Sequence, residues 1–292
     1  MTESSPSKSS FVTPSFNQAD FLEGAIQSVL GQKYPNLQYV IIDCGSNDGS
    51  TGINKKYETS LYYWRSKKDA GNEDAINKGF FLADGDVMAW INADDISLPE
   101  AFATIASALT KYDDIHWVKG ITSDISQDFS VSTAGPCHLY SREWIRQGVY
   151  GSDDYFIQQD SVFWRGWLWK KTGGIQAGIK LAGDYFQWLN FAKLVPLFSI
   201  PSMVSCFRQV DGQLSQDSGA YQAEVQSISP SDDRYARKIR LFRKYEPHPG
   251  FTLKALLFRL LFGRQEYSAI AINPDGSMPK ITGQRFDVAC RL

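Results

Sequence analysis

Asp94 and Asp95 stand side by side at the end of the apolar run "DVMAWINADD", a few residues ahead of Pro99. Two adjacent carboxylates of this kind can hold Mg²⁺ or Mn²⁺ through oxygen, leaving the metal's other positions to water and phosphate. They can equally cap a helix that Pro99 opens at its first turn. A further acid, Asp43, ends the apolar run "LQYVIID" and is followed by Gly45, Ser46, Asn47, Asp48 and Gly49. A glycine-rich turn after a strand lets a nucleotide approach the backbone. Two enzyme classes use such a turn: a methyltransferase facing a nucleoside cofactor, and a sugar-nucleotide enzyme in which Asp43 reads a base. The turn alone does not choose between them. Asp48, flanked by glycine, is expected to hold the loop in shape.

These acids need a frame, and the first 120 residues supply the pattern of one. "SFVTPSF" predicts a short strand ending at Pro14, and "ADFLEGAIQSVLGQ" places Phe21, Leu22, Ala25, Ile26, Val29 and Leu30 on one helical face before Gly31. "LQYVIID", "LYYWRS", "DVMAWIN" and "IHWVKG" read as further strands, with helices "NEDAINKGFFLA" and "PEAFATIASALTKY" between them. Alternation of this kind predicts an α/β fold with a mostly parallel sheet, whose ligands gather at the carboxyl ends of its strands. Asp43, Lys67-Lys68-Asp69 and the "NADD" of residues 92–95 all fall there. Beyond Ile121 the pattern becomes irregular until "IQQDSVFWRGWLW". It then gives a helix "LAGDYFQWLNFAK" and two short strands around "PLFSI" and "MVSCF".

Composition narrows the classes. Hydrophobic residues at 43% and charged residues at 21% exclude a disordered or fibrous chain. The four cysteines, Cys44, Cys137, Cys206 and Cys290, lack the paired spacing of a zinc site or a disulfide framework, which points to a reducing cytoplasm. No apolar run reaches the roughly 18 residues needed to cross a bilayer. Net charge is −2, yet Arg234 to Arg264 carries nine Lys/Arg against the single Glu246, so the C-terminal part is basic.

The chain resembles the family 2 glycosyltransferases, inverting enzymes of the GT-A fold, and particularly their bacterial surface-polysaccharide branch. The likeness is carried by "TPSFNQADFLEGAIQSVLGQKYPNLQYVIID" at 13–43, "GSNDGS" at 45–50, "YYWRSKKDAGNEDAINKGF" at 62–80 and "GDVMAWINADD" at 85–95. It continues in "IQQDSVFWR" at 157–165, "AGDYFQWL" at 182–189 and "FRQVDGQLS" at 207–215. The resemblance implies a GT-A type α/β fold, Rossmann-like with flanking helices, plus a C-terminal helical extension. Its implied divisions are a disordered tail at 1–10, a nucleotide-sugar half at 11–120, an acceptor half at 121–215 and a basic helical extension at 216–292. A methyltransferase would place the glycine turn at its first strand, whereas here a strand and a helix precede it.

By the family pattern, Pro14, Ser15 and Asp43 lie at the nucleobase, with Asp43 accepting from a base N–H. Asn77 and Lys78 approach the sugar and diphosphate, although Lys78 also reads as a solvated helix charge. Asn92, Asp94 and Asp95 occupy the family's DxD-type motif, one carboxylate on the donor ribose and the other on a Mg²⁺ or Mn²⁺ cofactor. Asn92 stands where many members have Asp, and an amide can still serve a ribose hydroxyl. Asp184 falls at the position of the catalytic base. Gln159 and Asp160 are expected to line the acceptor pocket, with Trp164 as a sugar platform.

The implied activity is transfer of a single sugar from a nucleoside diphosphate sugar, UDP being favoured, to a saccharide or lipid-linked acceptor. Neither the QxxRW motif nor the membrane helices of processive members is present, and no tryptophan follows Trp188. Residues 234–264, including "FTLKALLFRLLFGR", could lie on an anionic membrane surface, which would place the enzyme at the inner face of the cell membrane, or could pack on the protein. No nucleic-acid-binding module accompanies the basic stretch. A homodimer remains open, as does the alternative of a catalytically silent sugar-nucleotide-binding protein.

Overall fold

The structure, a computed structural model, describes residues 7–127, 130–151, 156–210, 212–213, 217–229 and 265–283, with 241, 260 and 292 as single positions. The chain opens with β1 (Ser9–Ser15), α1 (Ala19–Leu30), β2 (Leu37–Asp43), α2 (Ser50–Lys56), β3 (Tyr63–Ser66), α3 (Asn72–Leu82) and β4 (Val87–Trp90). These four strands are parallel in the order β3-β2-β1-β4. The chain first winds outward to β3 and then returns to the other side of β1. The junction of β1 and β4 is therefore a topological switch point, the position at which ligands of open α/β sheets gather.

The rest of the sheet is built from β5 (Ile96–Ser97), β6 (Trp117–Ile125), β7 (Val131–Ala134), β8 (Val162–Arg165), β9 (Phe198–Arg208), β10 (Tyr267–Ile270) and β11 (Lys280–Gly283). Strand β8 lies antiparallel between β4 and β6, with Trp164 opposite both Met88 and Trp117. Strand β9 runs parallel to β6, and β5 pairs antiparallel with its far end, Ile96 opposite Cys206. This last pairing draws the carboxyl end of β9 to the residues that follow β4.

Helices α4 (Ala101–Lys111), α5 (Arg142–Arg146), α6 (Gly166–Thr172), α7 (Gly183–Leu194) and α8 (Ser218–Ile228) complete the described elements. Phe163 and Trp164 are successive strand residues and so point to opposite faces. On one face Phe102 of α4 stacks on Phe11 at 3.9 Å and meets Phe163 edge-on. On the other, Phe80 of α3, Trp169 of α6 and Trp188 of α7 close over Trp90 and Trp164. Both faces are thus covered, which is why β2 and β4 read as continuous apolar runs.

Several boundaries differ from the sequence expectation. Strand β1 begins at Ser9, and Ser9 and Ser10 are buried, so the tail expected over 1–10 stops short of them; residues 1–6 lie outside the described residues. Helix α4 starts at Ala101 behind Glu100 at φ 63°, leaving Pro99 in the preceding turn. The two strands expected around Ser199 and Ser205 are one strand, β9. Register shifts against β6 between Lys119 and Thr122 accommodate Pro201 and Ser202. Strand β6 runs through the division expected at residue 120, and one core joins both halves. The C-terminal extension is not only helical: β10 pairs with β9 and β11 forms the sheet edge, anchored where Tyr112 Oη donates to the Met278 carbonyl at 2.6 Å. The helices expected within 234–264 lie outside the described residues, apart from the single positions 241 and 260.

Candidate active site

At the end of β4 the chain turns through Asn92 and Ala93, the Asp95 N–H donating to the Asn92 carbonyl at 3.2 Å. Asp95 is fully buried. Its Oδ1 accepts from the Arg208 backbone N–H at 3.0 Å and its Oδ2 from Gln159 Nε2 at 3.4 Å. Asp94 is 7% exposed and accepts from Gln213 Nε2 at 2.6 Å. Arg208, itself buried, donates Nε to the Asp94 carbonyl at 2.8 Å. Burial raises both carboxyl groups, and the charges of Asp94 and Asp160 push Asp95 well above the usual carboxylate range.

Asp160 sits in the 3₁₀ turn Gln159–Ser161 and is likewise raised by burial, partly offset by the Ser205 hydroxyl and the Lys119 ammonium. Lys119, buried in β6, is pulled down to about 8 by that burial. Buried polar atoms in native proteins nearly always have partners. Here Asn92 Oδ1, Gln159 Oε1 and Ser15 Oγ lack one at bonding distance.

At the end of β2, Asp43 is buried with both oxygens engaged. It accepts from the Gly45 N–H at 3.1 Å, the Ser46 N–H at 2.9 Å, the Ser46 hydroxyl and the Ser66 hydroxyl. Gly45 holds φ 86° in this turn, a conformation that costs glycine nothing. Asp48 does what its place between glycines predicts. Its carboxylate takes the Ala19 N–H at 2.9 Å and the Ser50 N–H at 3.0 Å, tying the starts of α1 and α2 together. Ser15 lies beside Asp43 in register, and Pro14 beside Ile42, so both flank this turn.

Asp184 opens α7, and its Oδ1 accepts from the Tyr185 N–H at 2.7 Å and from Tyr221 Oη at 3.1 Å. The side chain keeps some contact with solvent, yet enough protein surrounds it that burial pushes its carboxyl up to about 6. Gly183 permits this placement. A Cβ there would come within 2.7 Å of Glu73 Cγ in the first turn of α3. Because α3 departs from the carboxyl end of β3, this contact puts Asp184 on the same edge of the sheet as Asp43, Asp94 and Asp95.

Residues 10–167, more than half of the chain, match Glycosyl transferase family 2. The chain belongs to that family. An uncharacterized glycosyltransferase of Rickettsia typhi is 25% identical over 191 residues, covering 65% of this chain and 60% of the relative. A putative teichuronic acid biosynthesis glycosyltransferase, TuaG of Bacillus subtilis, is 33% identical over 89 residues, 30% of this chain and 35% of its own length. This family 2 chain thus spans about 60% of the length of the rickettsial relative. Among solved structures, S. aureus TarS in complex with UDP-GlcNAc superposes with a TM-score of 0.61 at 13% identity, over 82% of this chain and 72% of that one. A mannosyltransferase from Pyrobaculum calidifontis in complex with GDP-Man and Mn²⁺ gives 0.53 at 16% identity, over 88% and 80%. The fold is the GT-A fold, and the methyltransferase alternative falls with the family assignment.

Within this family 2 site, some expected residues serve the protein itself. Asn77 spends its amide on Ile175, donating to the carbonyl at 2.8 Å and accepting from the N–H at 2.9 Å, and so pins the loop after α6 to α3. Lys78 pairs with Asp74 one turn back on the same helix. Trp164 is completely buried among Trp90, Trp169 and Trp188, because β8 inserts into the sheet and turns this side chain into the core; it offers no face to a sugar. Asp160 is 5% exposed and acts on Asp95 through its charge, and Gln159 donates to Asp95. Both therefore adjoin the acid pair.

Arg208, Gln213, Glu73 and Tyr221 went unassigned in the sequence. Arg208 and Gln213 lie in the quoted stretch "FRQVDGQLS", but their partners depend on the β5–β9 pairing. Among the described residues no three His, Cys, Asp or Glu side chains are grouped to hold a metal ion. The donor chemistry of Asp94 and Asp95, carboxylates held together against their mutual repulsion beside the orphaned Asn92 Oδ1, is of the kind a hard divalent cation takes.

Proposed function

We propose that this chain transfers a single sugar, with inversion, from a nucleoside diphosphate sugar to a saccharide or lipid-linked saccharide in surface polysaccharide assembly. UDP is the favoured nucleotide, and the cytoplasmic face of the membrane the favoured place. The family and the named role of TuaG support sugar transfer in polysaccharide synthesis, and the UDP-GlcNAc bound by TarS supports the donor class. One observation carries the reading. Asp94 and Asp95 stand beside unsatisfied buried polar atoms at a carboxyl edge that also presents Asp184.

The chemistry assigned to these residues is a single displacement. With a carboxyl value of about 6, Asp184 is ionised at neutral pH and can take the acceptor hydroxyl proton as the new bond forms. The acceptor oxygen joins the anomeric carbon while the sugar–phosphate bond breaks, and the nucleoside diphosphate leaves with the electron pair. Asp94 and Asp95 would hold a divalent cation, which when bound supplies charge neutralisation at the diphosphate. Ser15 and the Asp43 turn form the wall for the base, the Asp43 carboxylate setting the shape of that wall through its bonds to Gly45, Ser46 and Ser66.

A screen of nucleotide sugars for release of free nucleoside diphosphate tests the proposal. Release with one or a few donors, abolished in Asp95→Ala and Asp184→Ala variants that still fold, is the expected result. A silent sugar-nucleotide-binding protein would bind a donor and release nothing.

A further inference from the structure

The catalytic reading leaves one well-formed contact unexplained: a hydroxyl from a helix beyond the family match closes on the assigned base. Helix α8 is capped by Asp217, whose Oδ1 accepts the Ala220 N–H at 3.0 Å. Tyr221, Val225 and Ile228 pack on Ala182, Tyr185 and Leu189 at the start of α7. From the same helix Glu224 accepts the Lys180, Leu181 and Ala182 N–H groups at 2.9, 2.7 and 2.7 Å, gathering the backbone donors of the segment that leads into α7. Tyr221 and Glu224 are three positions apart and share a face, so one helix both clamps α7 and reaches its first acid. The Tyr221 ring is steadied edge-on by Phe156, centroids 5.7 Å apart.

We propose that Tyr221 is a positioning residue for Asp184: its hydroxyl fixes Oδ1 and holds the carboxylate in its ionised form, leaving Oδ2 for the acceptor proton. The hydrogen bonds from the Tyr185 N–H and from Tyr221 Oη both end on Oδ1. A donor to an ionised carboxylate favours the charged state, which here opposes the effect of burial. The other titratable groups around it are Tyr185 on α7, Glu224 on α8 and Glu73 on α3. Tyr221 itself is held protonated, raised by burial and then by the charge of Asp184, so it stays a donor across the working range. The inference rests on Asp184 being the base.

The test is Tyr221→Phe in the full chain, which keeps the ring and its packing. Side-chain carboxyl carbons are titrated by NMR, with Asp184→Asn identifying the Asp184 signal, and the pH dependence of UDP release is followed on the UDP-sugar found active in the donor screen. The Asp184 titration, near 6 in the parent, should move up by about one unit in Tyr221→Phe. UDP release should fall about fivefold at pH 6, with little change at pH 8 and an unaltered donor KM. An unmoved carboxyl titration overturns the inference whatever the activity. A titration that moves in a chain that releases nothing from any nucleotide sugar overturns the catalytic reading instead.

Discussion

Replacing Glu73 with glutamine should stabilise this protein at mildly alkaline pH. The Glu73 side chain is buried beside the N-terminus of α7, and burial lifts its carboxyl from 4.5 to about 8, with the charges of Asp184 and Glu224 adding to the effect. The folded state therefore binds this proton more tightly than the unfolded chain does. Its contribution to stability is complete below about pH 4.5 and is lost progressively as pH rises through about 8. A separation of about 3.5 units at roughly 1.4 kcal/mol each sets an upper bound on the order of 5 kcal/mol. Between pH 5 and pH 8 the parent should lose about 2–4 kcal/mol relative to the glutamine variant, which carries no such proton. Urea unfolding of both proteins at pH 5, 6.5 and 8 reads this directly. Stability curves that run parallel with pH would refute the burial argument, as would a variant that is weaker than the parent at pH 8.

Asn77→Ala should cost about 1–3 kcal/mol in urea unfolding, because the Ile175 N–H and carbonyl both lose their partner, while the donor KM stays within about twofold of the parent. A large KM change without loss of stability would restore Asn77 to the sugar. Trp164→Ala should lower stability by about 3–5 kcal/mol through the cavity it opens among Trp90, Trp169 and Trp188. A stable Trp164→Ala protein defective only in acceptor use would show that the ring is a platform after all.

The strand–helix alternation of residues 11–120 was legible because both faces of the sheet are covered, and burial writes that arrangement as uninterrupted apolar runs such as "LQYVIID". Acids at the ends of such runs follow from the same reading. What a single sequence hides is pairing across long separations. Arg208 reaches Asp94 and Asp95 only because the two-residue strand β5 pairs with β9, more than a hundred positions away. Asn77 sits next to a lysine on a polar helix and looks like a ligand contact until Ile175, 98 residues on, takes both ends of its amide. Trp164 lies in a motif with polar neighbours, and nothing local announces that β8 enters the sheet antiparallel. Glu73 resembles an ordinary first-turn acid favoured by the helix dipole; its burial is created by the bare backbone of Gly183 on another helix.

The central claim is that the Asp94–Asp95 pair and the sheet edge beside it are built for a metal-bound nucleoside diphosphate. Calorimetric titration of UDP into the full chain, with and without Mn²⁺, tests it most directly, in the parent and in an Asp95→Asn variant matched for thermal stability. Mn²⁺ should tighten UDP binding by at least about tenfold in the parent and leave the variant unchanged. UDP affinity indifferent both to Mn²⁺ and to the loss of the Asp95 charge would contradict the account.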